Sequence, residues 1–396
     1  MVERRSIVVA GGGPTGLAVA LGLAQRGAEV TVLDRDPEPS TAPRALAYLH
    51  PVLPGFAALG VLDDIKAEAA IGDGINFIDH ASGESFHMTL DAIENDFPFA
   101  FVPQLGQHRV SAILLRHLAA FDNAQVLYGH EVVGIRPDDD GVTLTVNTAE
   151  GEQVIVADWL VGADGAASAV RKLMDLSFDG MTWPEKFVST NIRADLHAAG
   201  LKKSNWRIDP VYGAVIARYS SDEHLWRFTF KEDAELPDEA LEERIHAHFE
   251  TAIPDNLPYE LVQFAPYRMH QRATSSFRFG RVLLAGDAAH VTNPIGGLGL
   301  TGGFCDAFVL SEALAAVVHG EAEDAVLDRY SDERRRVYLE YVSPTASMTK
   351  GLLFDDHPAE VKQQILGHLR HLRDDREFRR QDLLSMQAMV TPSLLG

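Results

Sequence analysis

The chain has one cysteine, Cys305, so no intrachain disulfide can form and a reducing cytoplasm is the expected setting. It is short of cations. Lys and Arg number 35 against 57 Asp and Glu, a formal net charge of −22. So acidic a chain is not expected to partner nucleic acid or an anionic membrane. No apolar run reads as reaching the roughly 18–20 residues that span a bilayer. The N-terminus enters a strand directly, with no signal-peptide pattern, so a cytoplasmic location is expected. Internal repeats, low-complexity segments, GxSxG, a P-loop and metal-spaced clusters are all missing. What remains is an ordinary globular composition, 46% hydrophobic and 8% aromatic, over 396 residues, enough for two or three domains.

The most informative stretch is 6–36. A short apolar run, Ile7-Val8-Val9-Ala10, reads as a buried strand. Gly11-x-Gly13-Pro14-Thr15-Gly16 follows, then a helix-like segment of small and apolar residues and a second strand, Val30 to Leu33, ending at Asp34. Strand, glycine turn, helix, strand and acid is the order a dinucleotide site demands. Gly11 permits the tight turn, Gly13 lets backbone approach a pyrophosphate, and Gly16 allows close packing of helix on strand. The helix N-terminus offers N–H groups and partial positive charge to phosphates. Asp34 can accept hydrogen bonds from a ribose and disfavours a 2′-phosphate, which points to FAD or NAD here.

Two more stretches stand out. Residues 159–171 run from an apolar strand into Asp164-Gly165, then a helix carrying Arg171. Residues 280–306 run from strand 282–285 through Gly286-Asp287 and Pro294 to a glycine-rich loop, Gly297-Leu298-Gly299-Leu300, and a helix from about 301 to 318. Gly297-x-Gly299-x-x-Gly302 repeats the glycine spacing, but residues 286–295 separate it from its strand, so no second Rossmann site is read there. Between 176 and 273 the composition turns β-rich, with strands expected at 187–196, 211–219, 226–231 and 261–267 and a helix at 237–249. The expected division is a first part of a cofactor domain over 1–175 (with about 72–105 a candidate to join the second domain), a β-rich substrate domain over 176–273, a second part of the cofactor domain over 274–345, and a helical C-terminal region over 346–396.

Taken together, the three stretches resemble the single-component FAD-dependent aromatic hydroxylases of the p-hydroxybenzoate hydroxylase type. The resemblance covers roughly residues 5–340. It implies an α/β fold: a Rossmann-like FAD domain of the glutathione reductase type, a β-rich substrate domain and C-terminal helices. It implies NADPH or NADH as a transient electron donor, O2, oxygen transfer through a C4a-hydroperoxyflavin, and a small aromatic or heteroaromatic substrate. Asp34 resembles the acid on the adenosine ribose and Arg44 the arginine near the pyrophosphate; Arg35 also lies close to a cofactor. Gln107 resembles the helix-start residue near the ribityl chain, and Val132 marks the strand along the adenine. Asp164 falls in the Asp-Gly motif, Asp287 where an aspartate meets ribityl hydroxyls, and Pro294 beside the flavin C4a. Thr301 stands where the family often has Asn, and Leu298 where it often has a polar residue. The thioredoxin-like C-terminal domain of phenol hydroxylase relatives is not expected here.

Tyr212, Arg218 and Phe228, on second-domain strands, are the candidates to face substrate. Pro294 is the one candidate for the catalytic loop. His290 is read as a packed histidine as readily as a site residue, and Cys305 as a small buried hydrophobe. His246 and His248 lie on different sides of a helix and are no metal pair. The stripe Arg370, Arg373, Arg376, Arg379 and Arg380 reads as surface salt bridging, or as packing on a second subunit of a homodimer. A reductase on a related fold and a non-enzymatic flavin-binding regulator are the competing readings. The Trp-x-Trp-x-Ile-Pro of flavin halogenases is absent, because Trp159, Trp183, Trp206 and Trp226 stand singly.

Overall fold

The computed structural model describes residues 3–41, 45–222, 224–253 and 257–396. A strand apolar on both faces must sit inside a sheet with cover on each side. Strand Glu3–Ala10 does so: it pairs in parallel with Val30–Asp34 on one side and Gly151–Gly162 on the other, and Ile7, Val8 and Val9 are fully buried. Val282–Leu284 extends the sheet beyond Gly151–Gly162, and Ala124–Tyr128 beyond Val30–Asp34, again in parallel. Register matters here. Val8 pairs Leu160, and Leu160 pairs Val282. The three marked stretches therefore leave the same edge of adjacent parallel strands.

Helices Pro14–Gln25 and Leu298–Val318 cover this sheet and cross each other closely. A Cβ on Gly22 would sit 2.4 Å from Ser311 Oγ, so only glycine allows that approach. Leu298–Val318 corrects the reading that no run is long enough to span a membrane. Its 21 residues are long and apolar enough by composition, but 78% of its most apolar window is buried inside the protein. It also carries a fully buried carboxylate, Asp306. It is the central helix of a core, apolar all round because it is surrounded.

Among the described residues the second sheet has eight strands. Its centre is Glu260–Ala273, Asp179–Arg193, Leu225–Asp233 and Ala214–Arg218, antiparallel throughout. It continues through Ser204–Ile208, a strand the sequence reading lacks, to Gly74–Asp79 and Ser85–Thr89. Residues 74–89 thus belong structurally to this sheet although they lie within the first stretch of chain. Strand alternation gives the sheet two unlike faces. Phe228, Phe230 and Ile216 pack under helix Leu241–Ala252 on the outer face. Phe187, Val215, Trp206 and Tyr267 lie on the inner face, with Ile295 of the glycine-rich loop against them.

The C-terminal helices Ala359–Asp374 and Arg376–Ser385 lie over residues 84–97. The arginine stripe makes this contact. Arg370 and Arg373 reach Glu84, Arg376 reaches the Asp91 carbonyl, and Arg380 grips Asp96. The stripe is an intrachain clamp, formed by residues some 285 positions apart.

Candidate functional site

The three marked stretches meet at one edge. The Ala163 amide donates to the Ala10 carbonyl and the Ala285 amide to the Gly162 carbonyl. A Cβ on Gly11 would lie 2.4 Å from the Ala163 carbonyl oxygen, one on Gly16 2.0 Å from the Gly11 oxygen, and one on Gly286 2.8 Å from Thr15 Oγ1. Gly11 and Gly286 also hold positive φ, at 111° and 58°. Gly11 and Gly16 are fixed by backbone approach, and Gly286 by its positive φ and the Thr15 side chain. Gly13 differs: nothing lies within 4 Å of the Cβ it lacks. That open space faces the start of helix Pro14–Gln25, which no side chain caps.

The acids at this edge are held by backbone. Asp34 Oδ2 accepts the Gly12 amide at 2.6 Å, and Oδ1 accepts the Asp36 amide at 2.8 Å. Asp164 Oδ2 accepts the Ala169 and Val170 amides at 2.6 and 3.0 Å, while its Oδ1 is buried with no partner among the described residues. Arg171, 5% exposed, ties the second stretch to the third: it donates to the Ala166 and Ala288 carbonyls at 2.6 and 2.9 Å. Burial lowers its pKa, and the nearby charges of Asp164 and Asp287 act the other way. Asp287 itself is exposed at the turn.

The glycine-rich loop turns at Pro294, whose carbonyl accepts the Gly297 amide. Gly296 and Gly297 both have positive φ, and Gly297 starts helix Leu298–Val318 with no side-chain cap. Pro294 is exposed at this turn, and Gly299 and Leu300 are half-buried. Leu298 is buried among Leu49, Val337 and Met389, turned from the open edge. Thr301 is fully buried and its hydroxyl donates to the Gly297 carbonyl, so the side chain serves its own helix. Gln107 begins helix Gln107–Leu118 and donates its amide to the Ala45 carbonyl. Val132 is buried in strand Glu131–Pro137. Arg35 is exposed and pairs loosely with Asp36 at 3.7 Å. Arg44 lies outside the described residues.

A dinucleotide with a sugar and a pyrophosphate fits this edge. The space at Gly13 suits phosphate oxygens, the orphaned Asp164 Oδ1 invites a donor, and two uncapped helix starts point their N–H groups there.

Sequence reasoning missed the network that holds the third stretch. Asp306, fully buried, accepts the Gly286 amide at 2.9 Å, His290 Nε2 at 2.8 Å and Arg334 Nε at 2.7 Å. Arg334 also donates to the carbonyls of Gly302 and Met389 and to Thr391 Oγ1. Burial alone would raise the Asp306 pKa; His290 and Arg334 instead hold it at about 2. Burial pushes the neighbouring Cys305 thiol up to about 11, which leaves it inert. A signal existed: Asp306 is one of two acids, with Glu312, in a helix made mostly of small and apolar residues.

The inner face of the second sheet meets this edge through residues 46–50 and 102–107. Arg227 and Asn191 pair in register on that face, and Arg227 Nε donates to Asn191 Oδ1 at 2.7 Å. The guanidinium stands 5.1 Å from the Tyr219 ring, and Tyr219 Oη lies 3.4 Å from His108 Nδ1. Tyr48 is fully buried against Phe56 and Phe304, and its hydroxyl has no partner among the described residues. Burial and Tyr219 raise its pKa, while Arg227 lowers it, so the three groups lie close enough for their charges to act on one another. Both polar atoms of the fully buried Gln104 side chain are also without partners among the described residues. The missing Cβ of Gly297 would look toward the Ala47 carbonyl at 3.6 Å, so this pocket adjoins the glycine-rich loop.

The three expected substrate residues are not on this face. Phe228 packs on Phe249 at 5.0 Å between centroids, under the outer helix. Arg218 pairs in register with Trp226 on the same outer face and donates to the Ser221 carbonyl. Tyr212 sits against His80 and His248. Arg218 and Phe228 differ from this face by one residue of strand phase: their immediate neighbours Tyr219 and Arg227 point inward.

Residues 4–344 match the family model described as "FAD binding domain". The chain is 41% identical over 392 residues to 6-hydroxy-3-succinoylpyridine 3-monooxygenase of Pseudomonas putida (strain DSM 28022 / S16), covering 99% of this chain and 100% of that one. It is 37% identical over 388 residues to para-nitrophenol 4-monooxygenase of Pseudomonas sp. (strain WBC-3), covering 97% and 95%. The crystal structure of p-nitrophenol 4-monooxygenase from Pseudomonas putida DLL-E4 superposes with a TM-score of 0.95 at 36% identity, over 98% of this chain and 99% of that one. A ternary complex of aklavinone-11 hydroxylase with FAD and aklavinone gives 0.79 at 28% identity, over 91% and 71%.

Proposed function

This chain belongs to the single-component FAD-dependent aromatic hydroxylases, and on that premise we propose that it oxygenates a hydroxylated six-membered aromatic ring at the substituted carbon para to the hydroxyl. It is a flavoprotein monooxygenase of aromatic substrates that draws electrons from NAD(P)H. Two relatives' names support the finer reading. One attacks para-nitrophenol at position 4, which bears the nitro group; the other attacks 6-hydroxy-3-succinoylpyridine at position 3, which bears the succinoyl chain. Positions 3 and 6 of a pyridine are para to each other, so both names describe the same relation.

The observation that carries the proposal is the buried Arg227 beside Tyr219 and Tyr48 at the glycine-rich loop. Bound FAD supplies the oxygen-activating chemistry. The chain's own residues bind and bias the substrate. A guanidinium in a dry pocket lowers the pKa of a phenol-type hydroxyl and stabilises its anion. The anion feeds electron density to the para carbon, where oxygen is to be placed. The Tyr48 hydroxyl and the Gln104 amide offer further hydrogen bonds to a ring oxygen or nitrogen. Phe187, Val215 and Tyr267 supply an apolar wall that excludes water.

The test uses purified holoenzyme, NADH or NADPH, and a set of para-substituted phenols and hydroxypyridines under 18O2. Label at the para carbon with release of the substituent supports the proposal. Label confined to an ortho carbon overturns it. Arg227→Gln should raise KM for the same substrate by about 10–100-fold, the loss of a charge-assisted hydrogen bond, with FAD content unchanged. An unchanged KM removes Arg227 from the pocket.

A further inference from the structure

The outer face of the second sheet holds a charge that the reaction does not use. Arg207, on strand Ser204–Ile208, is 5% exposed. Its register partners are Ala214 and Ile78, and Ala214 pairs in turn with Phe230, so it lies on the outer row, away from Arg227 and the cofactor edge. Its Nη1 is buried with no hydrogen-bond partner among the described residues. Asp209 is the carboxylate whose charge it feels, and one oxygen of Asp209 is already held by the Val211 and Tyr212 amides. Burial lowers the Arg207 pKa to about 10, a measure of how dry the site is.

Rings surround this guanidinium. It stands 5.5 Å from the Phe228 ring. His248 stacks on Phe230 at 4.0 Å and 9°, and Tyr212 packs between His248 and His80 at 5.5 and 5.4 Å. Arg207 is buried while His248, Tyr212 and His80 are half-buried, so these rings stand between the cation and the surface. His248 Nε2 is a second buried polar atom without a partner among the described residues. Burial, then Arg207, depress the His248 pKa to about 4, so its ring is neutral near pH 7.

We propose that Arg207 and these rings form a second ligand site, separate from the substrate pocket, for an aromatic monocarboxylate. A buried guanidinium with no partner at Nη1 is costly, and nearly all buried polar groups in native proteins are satisfied. A carboxylate matches its planar fork of N–H donors. With Asp209 already facing the guanidinium, the site offers room for at most one more negative charge, which a monoanion supplies; a phosphate dianion would call for more positive charge. The ring walls match a flat apolar body by edge and face contacts. The neutral His248 adds one hydrogen bond.

Benzoate, titrated into the FAD-loaded full chain, tests this. The local readout is the His248 ring-proton NMR signal, assigned by its loss in His248→Phe. The expected result is a saturable shift of that signal in the wild type, weakened at least about tenfold in Arg207→Gln by loss of a charge-assisted pair, with the flavin absorption spectrum unaltered. Benzyl alcohol, which keeps the ring and lacks the charge, should leave the signal in place. A His248 signal that benzoate never moves, or moves equally in Arg207→Gln, overturns the proposal and leaves Arg207 as a packing residue hydrated at its N–H groups. Should the Gln variant fail to fold, Arg207→Lys decides: it keeps the charge and loses the fork, and unchanged benzoate affinity there overturns the proposal as well.

Discussion

Asp306→Asn removes one charge and replaces one acceptor oxygen by a donor. In the wild type three N–H groups converge on this carboxylate, from Gly286, His290 and Arg334. Whichever way the new amide turns, its NH2 faces at least one of those donors. Arg334, 1% exposed, keeps its charge and loses its counter-ion. Breaking a buried pair from one side costs about 3–5 kcal/mol. The depressed pKa gives an independent figure: a fall from 3.8 to about 2 corresponds to about 2–3 kcal/mol of preference for the ionised form. The larger value applies to the variant, because Asn also misdirects donors. Unfolding entropy of about 2.1 cal/mol/K per residue over 396 residues is about 0.8 kcal/mol/K. The melting temperature should therefore fall by about 4–6 °C, measured by scanning calorimetry of the holoenzyme. The sign with pH follows from a folded pKa below the unfolded one. The carboxylate's contribution is complete above about pH 4–5 and is lost as pH falls toward 2. The gap between wild type and variant should be constant from pH 8 to about 5 and close below about 4. FAD should also leave more readily, since Asp306 fixes the Gly286 amide beside Asp287. A melting shift under about 1 °C with unchanged FAD affinity would refute the account of this network.

Two glycines of the same motif should behave oppositely. Gly16→Ala drives a Cβ to 2.0 Å from the Gly11 carbonyl oxygen, so soluble yield should collapse or stability fall by about 3 kcal/mol or more. Gly13→Ala meets nothing within 4 Å, so its circular dichroism should match the wild type while FAD affinity drops about tenfold or more in fluorescence titration, because the methyl enters the phosphate space. Wild-type FAD affinity in Gly13→Ala would remove the pyrophosphate from that loop. Arg380→Ala breaks a half-exposed pair with Asp96 and should cost no more than about 1 kcal/mol, a melting shift of about 1 °C. A shift several times larger would mean that the C-terminal clamp acts as one cooperative unit.

The sequence by itself determined the cofactor edge. Strand, glycine turn, helix and acid are local in the chain, and Gly11 and Gly16 are fixed by backbone geometry that spacing reports directly. The three marked stretches were legible for the same reason, and their order carried the family. What joins them was not legible. Arg171 reaches Ala288 across 117 positions, and Asp306 reaches Arg334 across 28; such contacts depend on how strands order within a sheet. The sidedness of the second sheet was not legible for a subtler reason. An alternating strand has two faces, and a chain alone does not say which one meets the cofactor. Helix Leu241–Ala252 claimed the face bearing Phe228 and Arg218, and the glycine-rich loop took the other. The arginine stripe likewise looked like a solvated face until the tertiary fold set Glu84 and Asp96 opposite it. Local backbone chemistry is written in consecutive residues, whereas the sidedness of a sheet and the partners of buried charges are settled only when distant segments pack.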